Sequence, residues 1–287
     1  MNRQYKISGF ADEISGDLTA QIESLKKLDM HYVEMRGVDG NNLIFHPDSK
    51  VAEIKARLDD AGIALSACGS PLGKIGITDP FEPHLEQLKR GIEVAHRMGT
   101  KNIRMFSFYI PDGQNETYRS AVFDRMGQMV RCAEENDAVL LHENEKGIYG
   151  EKAEGCRQLM EAFGGDHFRA IFDFANFVQA GQDTLEAYEM LKPYITYIHV
   201  KDALAENGAV VPAGLGDGHV PEILNSLFDG GFDGFLSIEP HLWHFQGFEL
   251  LEKTGISIPE NTAPLEGFDA FALAHKALMS VLEARKN

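Results

Sequence analysis

Glu143, Asp173, His199 and Glu239 stand at or beside the ends of four consecutive apolar runs, VLLHE (139–143), AIFD (170–173), ITYIHV (195–200) and FLSIE (235–239). Three carboxylates and an imidazole brought to one axis repel one another unless a cation lies among them, and a divalent metal ion is the simplest such cation. An ion in that position binds a carbonyl oxygen and a neighbouring hydroxyl, which lowers the pKa of the adjacent carbon acid and holds the enediolate that forms. A carboxylate at hydrogen-bonding distance then moves the proton. Glu143 and Glu239 are the candidates for that step, because their runs lie three units apart and approach a substrate from different sides.

Other residues near these ends could take part. Lys201, two positions after His199, is placed either to polarise a carbonyl, bind an oxyanion or donate a proton, or to face solvent at a strand exit. Glu34 in YVEMRG (32–37) could hydrogen-bond a substrate or a histidine behind the metal, with Arg36 as its nearest pairing partner. Arg104 could pair with a carboxylate inside the fold, and Ser107 and Phe108 are candidates to line a pocket. The segment PHLWHFQGF (240–248) holds Trp243, the only tryptophan, which could stack on a substrate ring, seal the pocket or contact a second copy of the chain. A second metal at His241 and His244 is the weaker reading of the same segment. GLGDGH (214–219) lacks the GK[ST] of a phosphate loop and reads as a tight turn, with Gly214 and Gly216 supplying positive φ. The helix start after it leaves room for a substrate phosphate.

These residues need a frame, and the chain supplies one by regular alternation. Strand character recurs at 6–12, 31–37, 63–70, 101–109, 139–143, 168–173, 195–202 and 233–240. Helical periodicity follows each run, at 18–30, 49–62, 81–99, 117–137, 152–163, 183–193, 220–231 and 268–286. Alternation of this kind implies parallel strands joined by right-handed crossovers. Eight units over residues 1–287 predict a single-domain (β/α)8 TIM barrel, with a doubly wound open sheet as the alternative. The long segments 71–80 and 240–266 follow strands and so belong to the catalytic face. Side chains alternate along a strand. Val139, Leu141 and Glu143 therefore share a face, as do Tyr197, His199 and Lys201, and Phe235, Ser237 and Glu239.

The formal net charge of −17 disfavours nucleic acid as a partner, since a duplex-binding surface needs clustered Lys and Arg. No apolar run reaches membrane-spanning length, and MNRQYKISGFADE carries no secretory signal. Cys68, Cys132 and Cys156 lack metal-binding spacing and read as reduced thiols, which fits a cytoplasmic protein.

HEN (142–144), FD (172–173), IHVKDA (198–203) and SIEP (237–240), with GLGDG before the last, resemble the xylose isomerase-like superfamily. More narrowly they resemble its sugar phosphate isomerase/epimerase branch, which includes ketose 3-epimerases and inosose dehydratases. The resemblance implies one divalent metal ion (manganese, cobalt, magnesium or zinc) held by Glu143, Asp173, His199 and Glu239. It also implies that Glu143 and Glu239 form the acid–base pair and that the substrate is a small carbohydrate or polyol. Many of the epimerases carry a histidine three residues after the strand-six aspartate. Here DFAN places Asn176 there, which can bond a substrate hydroxyl but carries no proton at neutral pH. His142 faces away from the axis by parity and reads as packing. The expected activity is therefore a metal-dependent sugar isomerase or epimerase. A carbohydrate lyase of the inosose dehydratase kind is the alternative, and a non-catalytic sugar-binding barrel or subunit is the reading of another class. The oligomeric state, monomer or homo-oligomer, stays open.

Overall fold

A computed structural model of the chain describes residues 5–242, 265 and 267–285. The eight apolar runs become eight parallel strands. They are β1 (Lys6–Gly9), β2 (Tyr32–Met35), β3 (Ala64–Cys68), β4 (Asn102–Met105), β5 (Val139–Glu143), β6 (Phe168–Asp173), β7 (Ile195–Val200) and β8 (Phe235–Ile238). Their order in the sheet is β1-β8-β7-β6-β5-β4-β3-β2, and β2 packs back beside β1, so the sheet curls into a TIM barrel.

The helices between them are α1 (Leu18–Lys27), α2 (Asp48–Asp60), α3 (Glu82–Arg97), α4 (Asn115–Glu135), α5 (Ala153–Phe163), α6 (Phe174–Gln179), α7 (Thr184–Leu191), α8 (Val220–Asp229) and α9 (Gly267–Ala284). Several begin where a side chain satisfies a free backbone N–H: Asp17 accepts from Ala20 and Asp183 from Glu186. Gly62 takes φ 69° just past the end of α2, the left-handed turn its place in the sequence predicts. The short helix α6 has no counterpart among the expected elements. FANFVQ is too brief to show a period, and the strand-six aspartate itself starts the helix.

Most apolar side chains pack between the strands and the helix ring, among them Leu25, Ile54, Met105, Met129, Leu159, Phe172 and Leu278. Inside the ring, Ala67, Leu141, Ile171 and Tyr197 form a second, small apolar layer. Above that layer the interior turns polar, with Ser8, Glu34, Ser66 and Ser237 fully or almost fully buried. The interior therefore changes character toward the C-terminal ends of the strands. No helix among the described residues is long and apolar enough to cross a membrane.

Candidate metal centre

Glu143 and Asp173 are the last residues of β5 and β6, and Glu239 directly follows β8. Parallel pairing sets His199 on β7 opposite Asp173 on one side and Ser237 on the other. This register brings one ligand atom from each of Glu143, Asp173, His199 and Glu239 to within 4.8 Å of one another. All four residues are buried, at 0 to 3 % exposure.

Asp173 divides its two oxygens. Oδ1 accepts the N–H of Asn176 at 2.8 Å and so caps α6. Oδ2 is buried with no hydrogen-bond partner among the described residues. Lys201 Nζ lies 3.1 Å from it, at ion-pair distance but without hydrogen-bond alignment. A buried carboxylate oxygen left without a donor is costly. With the carboxylates of Glu143 and Glu239 and the His199 imidazole beside it, Asp173 completes a donor set that fits a divalent cation.

The chain also carries its own cations here, which relieve part of the repulsion among the carboxylates. Lys201 Nζ donates to Glu239 Oε2 at 2.8 Å, and Arg104 Nη1 to Glu143 Oε2 at 3.2 Å. Arg36 does not pair with Glu34. Its Nε donates to Asp12 at 2.7 Å and its Nη1 to Glu239 Oε1 at 3.1 Å. Arg36 and Arg104 both stack on Phe10, their Cζ atoms 4.8 and 5.0 Å from its ring.

Burial and these neighbours pull the titrating groups apart. Burial alone would lower the pKa of His199, but the carboxylates of Glu143 and Glu34 on either side push it up to about 10. Burial would raise Glu143, yet His199 and Arg104 bring it down to about 2. For Asp173 burial wins over Lys201, and with Glu143 and Glu239 nearby the pKa rises to about 7. Burial opposes the charged form of Lys201 too, but Asp173 and Glu239 outweigh it and hold the ammonium charged.

A cavity of about 320 Å³ opens over the centre, lined in part by Arg36, Lys74, Arg104, Asn176, Lys201 and Glu239. Lys201 and Asn176 thus sit where the sequence reading places substrate contacts. Asn176 Nδ2 donates to the Asn144 carbonyl at 2.8 Å and reaches Glu143 Oε1 at 3.4 Å. Glu34 lies deeper, fully buried beneath His199, and does not line the cavity. Ser107 is also fully buried, accepts the N–H of Gly150 at 2.8 Å and meets His142 Nε2 at 2.9 Å. Neither residue lines the cavity, and Phe108 is buried as well. His142 packs away from the axis, and burial pushes its pKa down to about 4. Trp243 and His244 lie outside the described residues. His241 forms a second acidic group with Glu13 and Glu239. The Arg36 guanidinium already stands there, 3.5 Å from Glu13 and 3.1 Å from Glu239, which argues against a second ion.

Two residues that shape the centre escape a reading of strand ends. The Asn144 side chain clamps the backbone of Asp173, accepting its N–H and donating to its carbonyl, each at 3.0 Å. The only signal was the Asn of HEN. Asp202, fully buried, accepts the N–H groups of Ala203, Gly214, Gly216 and Gly218 at 2.9 to 3.0 Å. The glycine loop therefore closes around an anion of its own chain. Gly214 does take φ 85°, but Gly216 is required by contact: a Cβ there would lie 2.4 Å from Asp202 Oδ1.

The family model of xylose isomerase-like TIM barrel proteins matches residues 22–254. The chain is 29% identical over 198 residues to a 2-epi-5-epi-valiolone 7-phosphate 2-epimerase of Actinoplanes sp., covering 67% of this chain and 70% of that one. Among solved structures it resembles the probable 3-DHS dehydratase of petrobactin synthesis from Bacillus anthracis. That likeness has a TM-score of 0.71 and 17% identity, over 96% of this chain and 98% of the other. It also resembles a xylose isomerase-like TIM barrel protein from Mycobacterium smegmatis solved with magnesium. There the TM-score is 0.67 at 15% identity, over 98% and 97% of the two chains.

Proposed function

The chain belongs to the xylose isomerase-like TIM barrel family, and from that membership we propose that it is a divalent-metal-dependent sugar isomerase or epimerase. The observation that carries this reading is the convergence of Glu143, Asp173, His199 and Glu239, with Asp173 Oδ2 accepting no hydrogen bond among the described residues, under a cavity of small-carbohydrate size. These four residues would hold the ion, and the ion supplies a Lewis acid for a carbonyl and its neighbouring hydroxyl.

The chain's own groups do the rest. Glu143 at about 2, and Glu239 held well below the usual carboxylate range, are both ionised at neutral pH and able to accept a proton from the carbon beside the carbonyl. They enter from β5 and from the end of β8, so one can take the proton on one face while the other returns it on the opposite face. Lys201 stays charged, which suits it to face a developing enediolate and unsuits it as a base. Asn176 holds Glu143 and the Asn144 carbonyl and moves no proton. The likeness to the Actinoplanes 2-epimerase supports this reading.

A dehydratase is the second reading, and one observation favours it. The Lys201 ammonium, 2.8 Å from Glu239, lines the cavity where it could protonate a departing hydroxyl. The likeness to the Bacillus anthracis dehydratase is in keeping with it.

The test is solvent exchange. Protein loaded with Mn²⁺ is incubated in D₂O with ketoses, ketose phosphates and cyclitol ketones. Deuterium next to the carbonyl with an inverted centre supports the epimerase, and loss of water with a new conjugated C=C absorbance supports the dehydratase. Metal-loaded protein that does neither with any of these compounds would remove both.

A further inference from the structure

Beneath the four candidate ligands, Glu34 points into the barrel interior with no exposure to solvent. Its Oε2 accepts from Ser237 Oγ at 2.6 Å and from Tyr197 OH at 2.9 Å, and it faces His199 Nε2 at 3.1 Å. Its Oε1 is buried with no partner among the described residues. All donors thus converge on the oxygen turned toward His199. The network continues from Tyr197 OH to Ser66 Oγ at 2.8 Å, and from Ser66 to Ser8 Oγ at 2.6 Å. The pairing register of β2 shifts between Val33 and Glu34, the kind of irregularity that re-aims a side chain.

A buried carboxylate is expensive to desolvate, and its place is kept only where its partners repay that cost. Among the described residues the one ion-pair partner of Glu34 is His199. Its cost is therefore best explained by what it does to that imidazole. A carboxylate behind a metal-binding histidine fixes which ring nitrogen keeps its proton and turns the other toward the ion.

We infer that Glu34 is a positioning residue of the metal centre. It receives the Nε2–H of His199 and so presents Nδ1 to the space shared by Glu143 and Asp173, which lie 2.9 and 3.9 Å from that nitrogen. The inference rests on the metal reading of those four residues. Ser237 of β8 and Tyr197 of β7 both donate to the carboxylate, so the strands that lead to Glu239 and His199 meet on one group.

The experiment measures Mn²⁺ binding by titration calorimetry, and melting of the metal-free protein, for wild type, Glu34→Gln and Glu34→Leu. The Mn²⁺ dissociation constant is expected to rise about 10-fold in Glu34→Gln and about 100-fold in Glu34→Leu, the range found for partners of metal-binding histidines. Metal-free Glu34→Leu is expected to melt lower, because Ser237, Tyr197 and His199 lose their shared acceptor, so Mn²⁺ affinity and not melting is the deciding readout. In Zn²⁺-loaded protein with ¹⁵N-labelled histidine, the slowly exchanging Nε2–H signal of His199 is expected in wild type and lost in Glu34→Leu. A Leu variant that melts lower but binds Mn²⁺ as wild type does would show a purely structural role and overturn the inference. If the Leu variant does not fold, unchanged Mn²⁺ affinity in Glu34→Gln overturns it instead. Wild-type protein that binds no Mn²⁺ would remove the metal reading together with this inference, whereas wild-type binding beside unaltered variants removes the role of Glu34 alone.

Discussion

Lys201 sets its ammonium 2.8 Å from Glu239 Oε2, and the same nitrogen lies 3.1 Å from Asp173 Oδ2. A lysine of the chain thus bridges two of the four candidate metal ligands. It offsets part of their charge and also faces the cavity.

Replacing this lysine should separate the two effects. Lys201→Met removes a cation that competes for both carboxylates, so Mn²⁺ affinity is expected to rise several-fold. Turnover is expected to fall at least 100-fold, because the ammonium near the reacting oxygens is gone. Calorimetry alongside single-substrate kinetics checks both. Weaker Mn²⁺ binding together with normal turnover would contradict the assignment.

Glu143→Gln and Glu239→Gln are each expected to lower turnover by about 10²- to 10⁴-fold, the usual worth of a positioned acid or base. Both should also cost stability, because Glu143→Gln takes a carboxylate from Arg104 and His199 and Glu239→Gln takes one from Lys201 and Arg36. Kinetics of the two variants at saturating Mn²⁺ decides. Turnover retained in both would take the acid–base role away from them.

The metal-free protein should lose stability as pH rises. Asp173 goes from an ordinary 3.8 to about 7 on folding, and His199 from 6.5 to about 10. A group whose folded pKa is raised stabilises fully below its unfolded value, and that contribution is lost as pH rises through the folded one. The loss attributable to Asp173 therefore runs from about pH 4 to pH 7, and that of His199 from about 6.5 to 10. Glu143 acts in the other direction: its folded pKa of about 2 stabilises above 4.5 and is lost in acid. Since metal and proton compete for these ligands, the rise in melting temperature produced by Mn²⁺ should be larger at pH 8 than at pH 5.5, and a chelator should abolish it. A shift that shrinks with pH would contradict the ligand set.

The strand ends were legible because barrel parity and strand polarity depend on local pattern alone. Glu143, Asp173 and Glu239 could be placed by counting along their runs. Depth was not legible. Glu34 and Ser107 also sit on or just beyond strands, but only the register tells which side chain reaches the cavity and which lies beneath it or behind it. Partners far apart in sequence were hidden as well. Arg36 has Glu34 two residues away, yet the turn after β1 brings it Asp12 and Glu13 instead. The GLGDGH loop reads as a tight turn, and no pattern says that its N–H groups close on Asp202.

Asp202→Ala is expected to destabilise the fold by about 3 kcal/mol or more, because it strands several backbone N–H groups, at about 1–3 kcal/mol for each one left buried and unpaired. Gly216→Ala should be damaging for the opposite reason, since its Cβ would meet Asp202 Oδ1 and the Ala203 carbonyl at 2.4 and 2.5 Å. Thermal or denaturant unfolding measures both. A Gly216→Ala protein as stable as wild type would show that the loop does not grip Asp202 as described.

That grip partitions the chain for anyone wishing to re-engineer it. Asp202 pins the strand-seven exit on one side and the start of α8 on the other, and the hairpin pairing 202–203 with 210–211 leaves a short tip between them. The tip touches the cavity only at second hand, through Gln179, which lines the cavity and donates to the Gly208 carbonyl. Sequence or length changes at 205–208 can therefore reshape the rim of the cavity while His199 and Lys201 keep their footing. The barrel offers a port for altering what enters, separate from the machinery that acts on it.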